Sequence, residues 1–187
     1  MRTCNERTKK NGYDAFGVEP SEPFFQRAIE KNGVDKDKLK LSMIEDCDFE
    51  ENTFDVILFT AVLEHLYEPA AIIEKVMTWL KPNGLLFIEV PSSDWLTNKI
   101  YNFIYRIQGK DYVGNLSPMH EPYHLYEFSK RAFEIHAKES NYEIADCQYY
   151  VCQTFLPKIF DPFLKWYMKK TKKGMELAIW LRKKHNA

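Results

Sequence analysis

The length of 187 residues allows one domain with one hydrophobic core, and 45% of the residues are apolar or aromatic. Because 26 Lys and Arg residues balance 27 Asp and Glu residues, the composition argues against bulk nucleic-acid binding. The four cysteines show no C-x-x-C spacing, which argues against a zinc site and a disulfide framework and favours a reduced, cytoplasmic protein. The sequence has neither an apolar run of the roughly 18–20 residues that span a bilayer nor an apolar N-terminal signal segment.

Predicted strands and helices alternate through the first half of the chain. A short apolar run over residues 13–18 predicts a strand, and Ser21 is predicted to cap a helix that stops at Asn32 and Gly33. Further strands are predicted at residues 38–44, 54–59 and 85–90, with a helix at residues 69–80 and a Pro-Asn-Gly turn before the last strand. This alternation predicts an α/β fold with a mainly parallel sheet.

The alternation breaks after residue 91. Residues 92–126 are rich in aromatic side chains and show helical spacing over residues 99–107. Ser129 is predicted to cap a helix that runs to about residue 140, and strands are predicted at residues 143–152 and 175–181. The segment between these two strands is basic and aromatic, and no secondary structure is predicted for it.

Glu19 is the first candidate binding residue. An acid at the carboxyl end of a strand, just before a helix, is where dinucleotide-type folds bind ribose hydroxyls. The alternative is an acid that only stabilises the start of a helix. The fingerprint also requires a glycine loop about 20 residues earlier. Only Gly12 and Gly17 precede Glu19, and they do not form a G-x-G pattern.

Three histidines are candidates for chemistry. His65 follows the strand at residues 54–59, and it suits a general base, a metal ligand or a structural residue of a pocket floor. His120 and His124 would share one face of a helix, but Pro122 between them favours a loop. Since His65 also has no second histidine four residues away, no metal site is predicted.

Four phrases of the sequence resemble the class I S-adenosylmethionine (SAM)-dependent methyltransferases. They are Gly-Val-Glu-Pro-Ser at residues 17–21, Phe-Asp-Val-Ile at 54–57, Leu-Glu-His at 63–65 and Leu-Lys-Pro-Asn-Gly at 80–84. The resemblance implies a Rossmann-like sheet with strand order 3-2-1-4-5-7-6, in which strand seven is antiparallel. It also implies that the family's first strand and glycine-rich loop are absent, so that the chain is N-terminally truncated.

The absence of that strand implies two further properties. Strand two of the family order pairs directly with strand four, or both leave unpaired edges. In either case we expect marginal stability and a cofactor cleft that is open on its methionine side.

The resemblance assigns roles to particular residues. SAM is the expected cofactor, with Glu19 and Pro20 at its ribose. Ile44 and Glu45 are expected at the adenine, and Thr60 and Ala61 leave a strand where the cofactor lies. The family implies a pocket-floor or catalytic role for His65 and places His124 beside the acceptor. The expected catalytic residues are therefore His65 and His124, and the expected acceptor contacts are Trp95, His120 and Tyr123.

The resemblance implies methyl transfer to a small molecule, such as a quinone-like ring, a sugar or a lipid-linked acceptor. Within one domain, residues 12–91 would bind the cofactor, 92–128 would form an acceptor lid and 129–187 would close the sheet. The basic segment at residues 160–173 suits a lid, contact with an anionic membrane surface, or a solvated face. Two alternatives for the whole chain remain: a non-catalytic binding or partner module, and a nicotinamide-dependent oxidoreductase.

Overall fold

The computed structural model describes residues 12–121, 123–152 and 158–184. The chain divides into two compact units, Met1–Glu50 and Glu51–Ala187. The expected end of a first helix over residues 2–11 lies outside the described residues. The two units are described separately below.

The described residues of the first unit form two short parallel strands and one α-helix. Strand β1 spans Gly17–Glu19, helix α1 spans Glu22–Asn32, a 3₁₀ turn spans Lys36–Lys38, and strand β2 spans Leu39–Leu41. In the parallel register, Gly17 pairs with Leu39 and Glu19 pairs with Leu41. Both strands are shorter than predicted, because the pairing extends over only three residues of each. Helix α1 ends as predicted, with Gly33 in the left-handed region at φ 62°.

The start of helix α1 differs from the prediction. Ser21 occupies the N-cap position, but its side chain makes no capping hydrogen bond within the described structure. Instead, the backbone N–H of Ser21 donates to Oε1 of Glu19 over 2.9 Å. The predicted side-chain cap is therefore wrong, and the carboxylate of Glu19 holds the chain between strand and helix.

The described residues of the second unit form a four-stranded sheet and four α-helices. The strands are β3 (Phe54–Thr60), β4 (Leu80–Pro91), β5 (Tyr142–Tyr150) and β6 (Glu176–Lys183), in the order β3-β4-β6-β5. β3 and β4 are parallel, whereas β6 runs antiparallel to both of its neighbours. The helices are α2 (Pro69–Trp79), α3 (Leu96–Ile107), α4 (Lys130–Glu139) and α5 (Asp161–Thr171). Alternate residues of the two central strands are almost fully buried and form the core: Leu86, Ile88, Val90, Leu177, Ile179 and Leu181.

The predicted Pro-Asn-Gly turn is instead an irregularity within β4. Phe54 pairs with Leu80, but the next partner, of Val56, is Leu85, so residues 81–84 bulge out of the parallel pairing. A Cβ atom on Gly84 would lie 3.0 Å from the carbonyl oxygen of Phe54, which is tighter than an ordinary contact, so a side chain there would push the two strands apart slightly. The glycine therefore serves close strand packing and not a turn.

The remaining helices agree with the sequence, with one exception. Helices α2 and α3 fall where helical spacing predicted them, and α4 falls where the predicted Ser129 cap placed it. The Ser129 hydroxyl accepts a hydrogen bond from the Ala132 N–H over 3.2 Å, as an N-cap does. Helix α5 lies in the basic segment, where no helix was predicted. None of the helices in the described ranges is long and apolar enough to cross a membrane.

The two sheets correspond to the class I methyltransferase strand order. The pair β2-β1 matches strands 3-2, and β3-β4-β6-β5 matches 4-5-7-6, with β6 as the antiparallel strand. Within the described residues, no strand takes the place of the family's first strand, and β1 and β3 belong to different sheets. The predicted fold class is confirmed. Of the two expectations for strands two and four, direct pairing is wrong, because β1 and β3 do not pair with each other. Within the described residues, each of these two strands has a partner on one side only.

Candidate functional site

The first unit brings two predicted cofactor-binding segments together. Glu19 is half-buried at the carboxyl end of β1, and its backbone oxygen accepts a hydrogen bond from the Ser42 N–H, just after β2, over 3.2 Å. Ile44 and Glu45 follow at once and are also half-buried, whereas Pro20 is exposed. Parallel strands present their carboxyl ends at the same edge, so the predicted ribose acceptor lies beside the predicted adenine loop.

These residues fit part of SAM. One oxygen of the Glu19 carboxylate accepts the Ser21 N–H, and a carboxylate has further acceptor positions for ribose hydroxyls. For the methionine end, the described part of the first unit offers no glycine-rich loop: Gly17 lies within β1, and Gly12 stands alone at φ 77°. The fit is therefore to an adenosine moiety.

In the second unit, the end of β3 has an unusual backbone conformation. Thr60 is the last residue of the strand and is exposed. Ala61 follows in the left-handed region at φ 53°, and its N–H donates to the carbonyl of Glu89 over 2.9 Å. Non-glycine residues in this region carry strain that is concentrated at functional sites. A strained residue at the carboxyl end of a parallel strand marks a position where α/β sheets bind ligands.

Shortly after Ala61, Glu64 and His65 form a polar cluster with His124. Leu63–His65 form a 3₁₀ turn, in which Glu64 has only 1% of its surface exposed. The His65 Nδ1–H donates to the carbonyl of Tyr123 over 2.9 Å, and the Leu125 N–H donates to the carbonyl of Glu64 over 2.8 Å. These bonds place His124 beside His65, with 4.9 Å between their ring centroids.

The orientation of His124 depends on helix α3. Asn102 of this helix accepts a hydrogen bond from the Gly114 N–H over 2.9 Å, and Asn98 donates to the Gly114 carbonyl over 3.2 Å. A Cβ atom on Gly114 would lie 2.0 Å from Asn98 Oδ1, so a larger residue there would displace the Asn98 side chain that bonds to the loop. The next residue, Asn115, accepts the Nδ1–H of His124 over 3.1 Å. The helix thus fixes the loop that orients this imidazole.

The hydrogen bonds define the tautomers of both histidines. A carbonyl oxygen can only accept, so Nδ1 of His65 and of His124 carries the proton. In the neutral ring, Nε2 therefore has the free lone pair. The cluster of Glu64, His65 and His124 thus contains two Nε2 lone pairs, one on each imidazole.

Burial dominates the electrostatics of the acidic groups. Burial raises the pKa of Glu64, against the opposing effects of its own backbone N–H and of His65 and His124. Burial also raises the pKa of Glu89, and the charges of Glu176 and Glu64 add to that rise. The negative charge of Glu176 thus raises the pKa of both Glu64 and Glu89, in addition to burial.

The structure brings together some, but not all, of the predicted acceptor-side residues. His65, His124 and the backbone of Tyr123 are in contact, whereas His120 is exposed and Trp95 is buried at the start of α3. Glu64 was not predicted as a site residue. Its only signal in the sequence is its position next to His65, because its burial results from residues that are distant in the chain.

The basic segment presents an aromatic surface. Helix α5 exposes Phe163 and Trp166, whose rings lie 6.0 Å apart, and Lys170 Nζ lies 5.2 Å from the Trp166 ring. Aromatic rings with lysines are typical of segments that lie on anionic membrane surfaces. Contact with a membrane through this helix stays a prediction.

Comparison with known proteins agrees with the observed fold. The methyltransferase-domain family matches residues 3–146. The ubiquinone biosynthesis O-methyltransferase of Coxiella burnetii is 28% identical over 118 residues, which cover 61% of this chain and 47% of that protein. The chain spans less than half the length of the curated relatives it matches.

Solved methyltransferase structures share the fold. A SAM-dependent methyltransferase from Archaeoglobus fulgidus superposes with a TM-score of 0.62 at 14% identity, over 96% of this chain and 80% of that one. The 1,6-didemethyltoxoflavin-N1-methyltransferase of Burkholderia thailandensis, solved with S-adenosylhomocysteine, has a TM-score of 0.58 at 16% identity. That match covers 97% of this chain and 66% of the other.

Proposed function

The chain belongs to the methyltransferase-domain family, and on that premise we propose that it binds SAM for methyl transfer to a small-molecule acceptor. The observation that carries the proposal is the strand order, β2-β1 and β3-β4-β6-β5 with β6 antiparallel. In such sheets, ligands bind at the carboxyl ends of the parallel strands, where Glu19 and Thr60 end β1 and β3.

On the cofactor side, Glu19 accepts hydrogen bonds from the ribose hydroxyls, beside Pro20. A charged acceptor makes these bonds roughly twice as strong as a neutral one does. The backbone at Ile44, beside Glu45, borders the adenine, and Thr60 and Ala61 contact the cofactor at the end of β3. Bound SAM supplies a sulfonium methyl group, whose transfer depends mainly on holding the two reactants in line.

On the acceptor side, His65 and His124 position the nucleophile. Each neutral ring has its lone pair on Nε2 and can accept a hydrogen bond from an acceptor hydroxyl or amine. Tyr123, which is half exposed, contributes an aromatic surface next to them. The names of the relatives, a ubiquinone biosynthesis O-methyltransferase and a toxoflavin N1-methyltransferase, support a small-molecule acceptor.

Two alternatives make different predictions. A non-catalytic binding module would retain the fold without transferring methyl groups, and the partial cofactor fit keeps this alternative open. A nicotinamide-dependent oxidoreductase would share the role of Glu19, but the antiparallel β6 and the family match favour a methyltransferase. Binding of NADH by the chain would distinguish the oxidoreductase from the methyltransferase.

The first experiment is calorimetric titration of S-adenosylhomocysteine into the 187-residue chain and two variants. We expect Glu19→Gln to weaken binding roughly tenfold, because the amide still accepts the Ser21 N–H but loses the charge that strengthens bonds to ribose. Glu22→Gln, a change of the same kind at an exposed residue of α1, should leave binding unchanged.

Three results would contradict the assignment. If both variants bind like the original chain, Glu19 does not hold the ribose. If NADH binds and S-adenosylhomocysteine does not, the oxidoreductase alternative is favoured. If the ligand binds but a labelled methyl group from SAM reaches none of a panel of phenols, quinols and amines, the non-catalytic module is favoured.

A further inference from the structure

We propose that Glu64, His65 and His124 form a binding site for a divalent transition metal, with Zn²⁺ as the best match to the ligand set. No metal was predicted from the sequence, because His65 has no histidine partner at helical spacing. The site goes beyond the proposed function and does not depend on it.

The distances suit a site that closes around an ion. One ligand atom from each of the three residues lies within 4.8 Å of the other two. A single point therefore exists within about 2.8 Å of all three, compared with typical Zn–N and Zn–O distances of about 2.0–2.2 Å. A shift of less than about 1 Å per ligand, which side-chain rotation can supply, would complete the coordination.

Both imidazoles are prepared for coordination through the same atom. Each Nδ1–H donates to a backbone carbonyl, His65 to Tyr123 and His124 to Asn115, which leaves Nε2 with the lone pair. Metal-binding histidines almost always donate their other ring N–H in this way, because the bond fixes the tautomer and the ring orientation.

The buried carboxylate of Glu64 is an independent reason to expect a bound cation. Its side chain is 1% exposed, and its Oε2 atom has no hydrogen-bond partner in the described structure. A buried carboxylate oxygen without a partner is costly, and a cation would compensate for it. The Oε1 atom already lies 3.9 Å from Nε2 of His65, so the carboxylate and the imidazole face a common space.

The ligand types select the metal. Imidazole nitrogen favours Zn²⁺ and its transition-metal neighbours over Mg²⁺ and Ca²⁺, which prefer oxygen ligands alone. Two histidines and one carboxylate provide three ligands, so a tetrahedral ion keeps one open position. That position suits an oxygen of a bound small molecule. An Nε2 atom that binds a metal ion cannot also accept a proton, so an occupied site would hold that oxygen through the ion and not through the imidazoles.

The test is calorimetric titration of Zn²⁺ into the chelator-treated chain without cofactor. We expect one Zn²⁺ per chain and at least a roughly tenfold loss of affinity in Glu64→Gln and in His124→Ala. His120→Ala is the matched control, because His120 lies exposed in the same loop, and binding should be unchanged. Equal affinity in all four proteins, or no binding to the original chain, would overturn the proposal.

A second measurement on the original chain does not depend on whether the variants fold. X-ray absorption of the Zn²⁺-loaded protein should show nitrogen and oxygen neighbours with the scattering of two imidazoles and no sulfur. Sulfur neighbours would place the ion on cysteines and would overturn the proposal. Because neither measurement uses SAM or an acceptor, failure of the metal site leaves the proposed methyl transfer unaffected.

Discussion

The two units of the chain differ in how much buried core supports their candidate residues. In the described part of the first unit, the buried side chains are Phe25 and Cys47, and each strand is three residues long. In the second unit, strands β4 and β6 are largely buried on alternate residues, and helix α2 packs a buried apolar face. Burial of apolar surface is the main source of folding stability. The second unit is therefore much more stable than the first.

The exposed side chains show the same difference. Tyr13, Phe24 and Met43 of the first unit are each at least half exposed, although they are apolar or aromatic. Small units bury a low fraction of their surface and are marginally stable. The predicted adenosine contacts therefore lie on a weak framework, whereas the histidine cluster lies on a well-packed one. Loss of structure in the first unit should abolish cofactor binding while the second unit stays folded.

The largest expected effect is in the core of the second unit. Leu86 in β4 is fully buried, and Leu86→Ala should lower the free energy of unfolding by about 2–5 kcal/mol. Leu58→Ala on β3, where the side chain is 53% exposed, is the matched control and should cost less than about 1 kcal/mol. Urea titration followed by circular dichroism measures both. Equal losses would show that the surface of β3 is buried in solution.

Hydrogen exchange compares the two units directly. Backbone amides of β1 and β2 should open with a lower free energy than those of β4 and β6, because few buried contacts hold the short strands. Exchange measured by mass spectrometry on proteolytic fragments would resolve this difference. Similar protection of both pairs of strands would contradict the contrast between the units.

Helix capping provides the smallest expected effect. Ser129→Ala removes a side-chain bond to the Ala132 N–H and should cost about 1 kcal/mol. Ser21→Ala removes no capping bond, since Glu19 holds the Ser21 N–H, and should change stability by only a few tenths of a kcal/mol. Thermal unfolding of the two variants measures the difference, and a larger effect at Ser21 would contradict the observed cap geometry.

Local patterns predicted the elements well where neighbouring residues alone decide the structure. Helices α2 and α3 follow apolar residues at helical spacing, α4 follows the Ser129 cap, and β3 follows a continuous apolar run. The Pro-Asn-Gly segment was misassigned because its glycine packs closely against Phe54, which lies in another strand. Helix α5 was missed because lysines and aromatic residues obscure its pattern.

The sequence by itself determined the alternation of strands and helices, the family resemblance and the acidic residue that ends β1, because each depends on the spacing of neighbouring residues. Only the tertiary structure decided that Glu64 and His65 meet His124. Their contact depends on a hydrogen bond that joins His65 to Tyr123, 58 residues later, and on an insert held by Asn98 and Gly114. Burial and long-range hydrogen bonds depend on the path of the whole chain, which spacing along the sequence does not reveal.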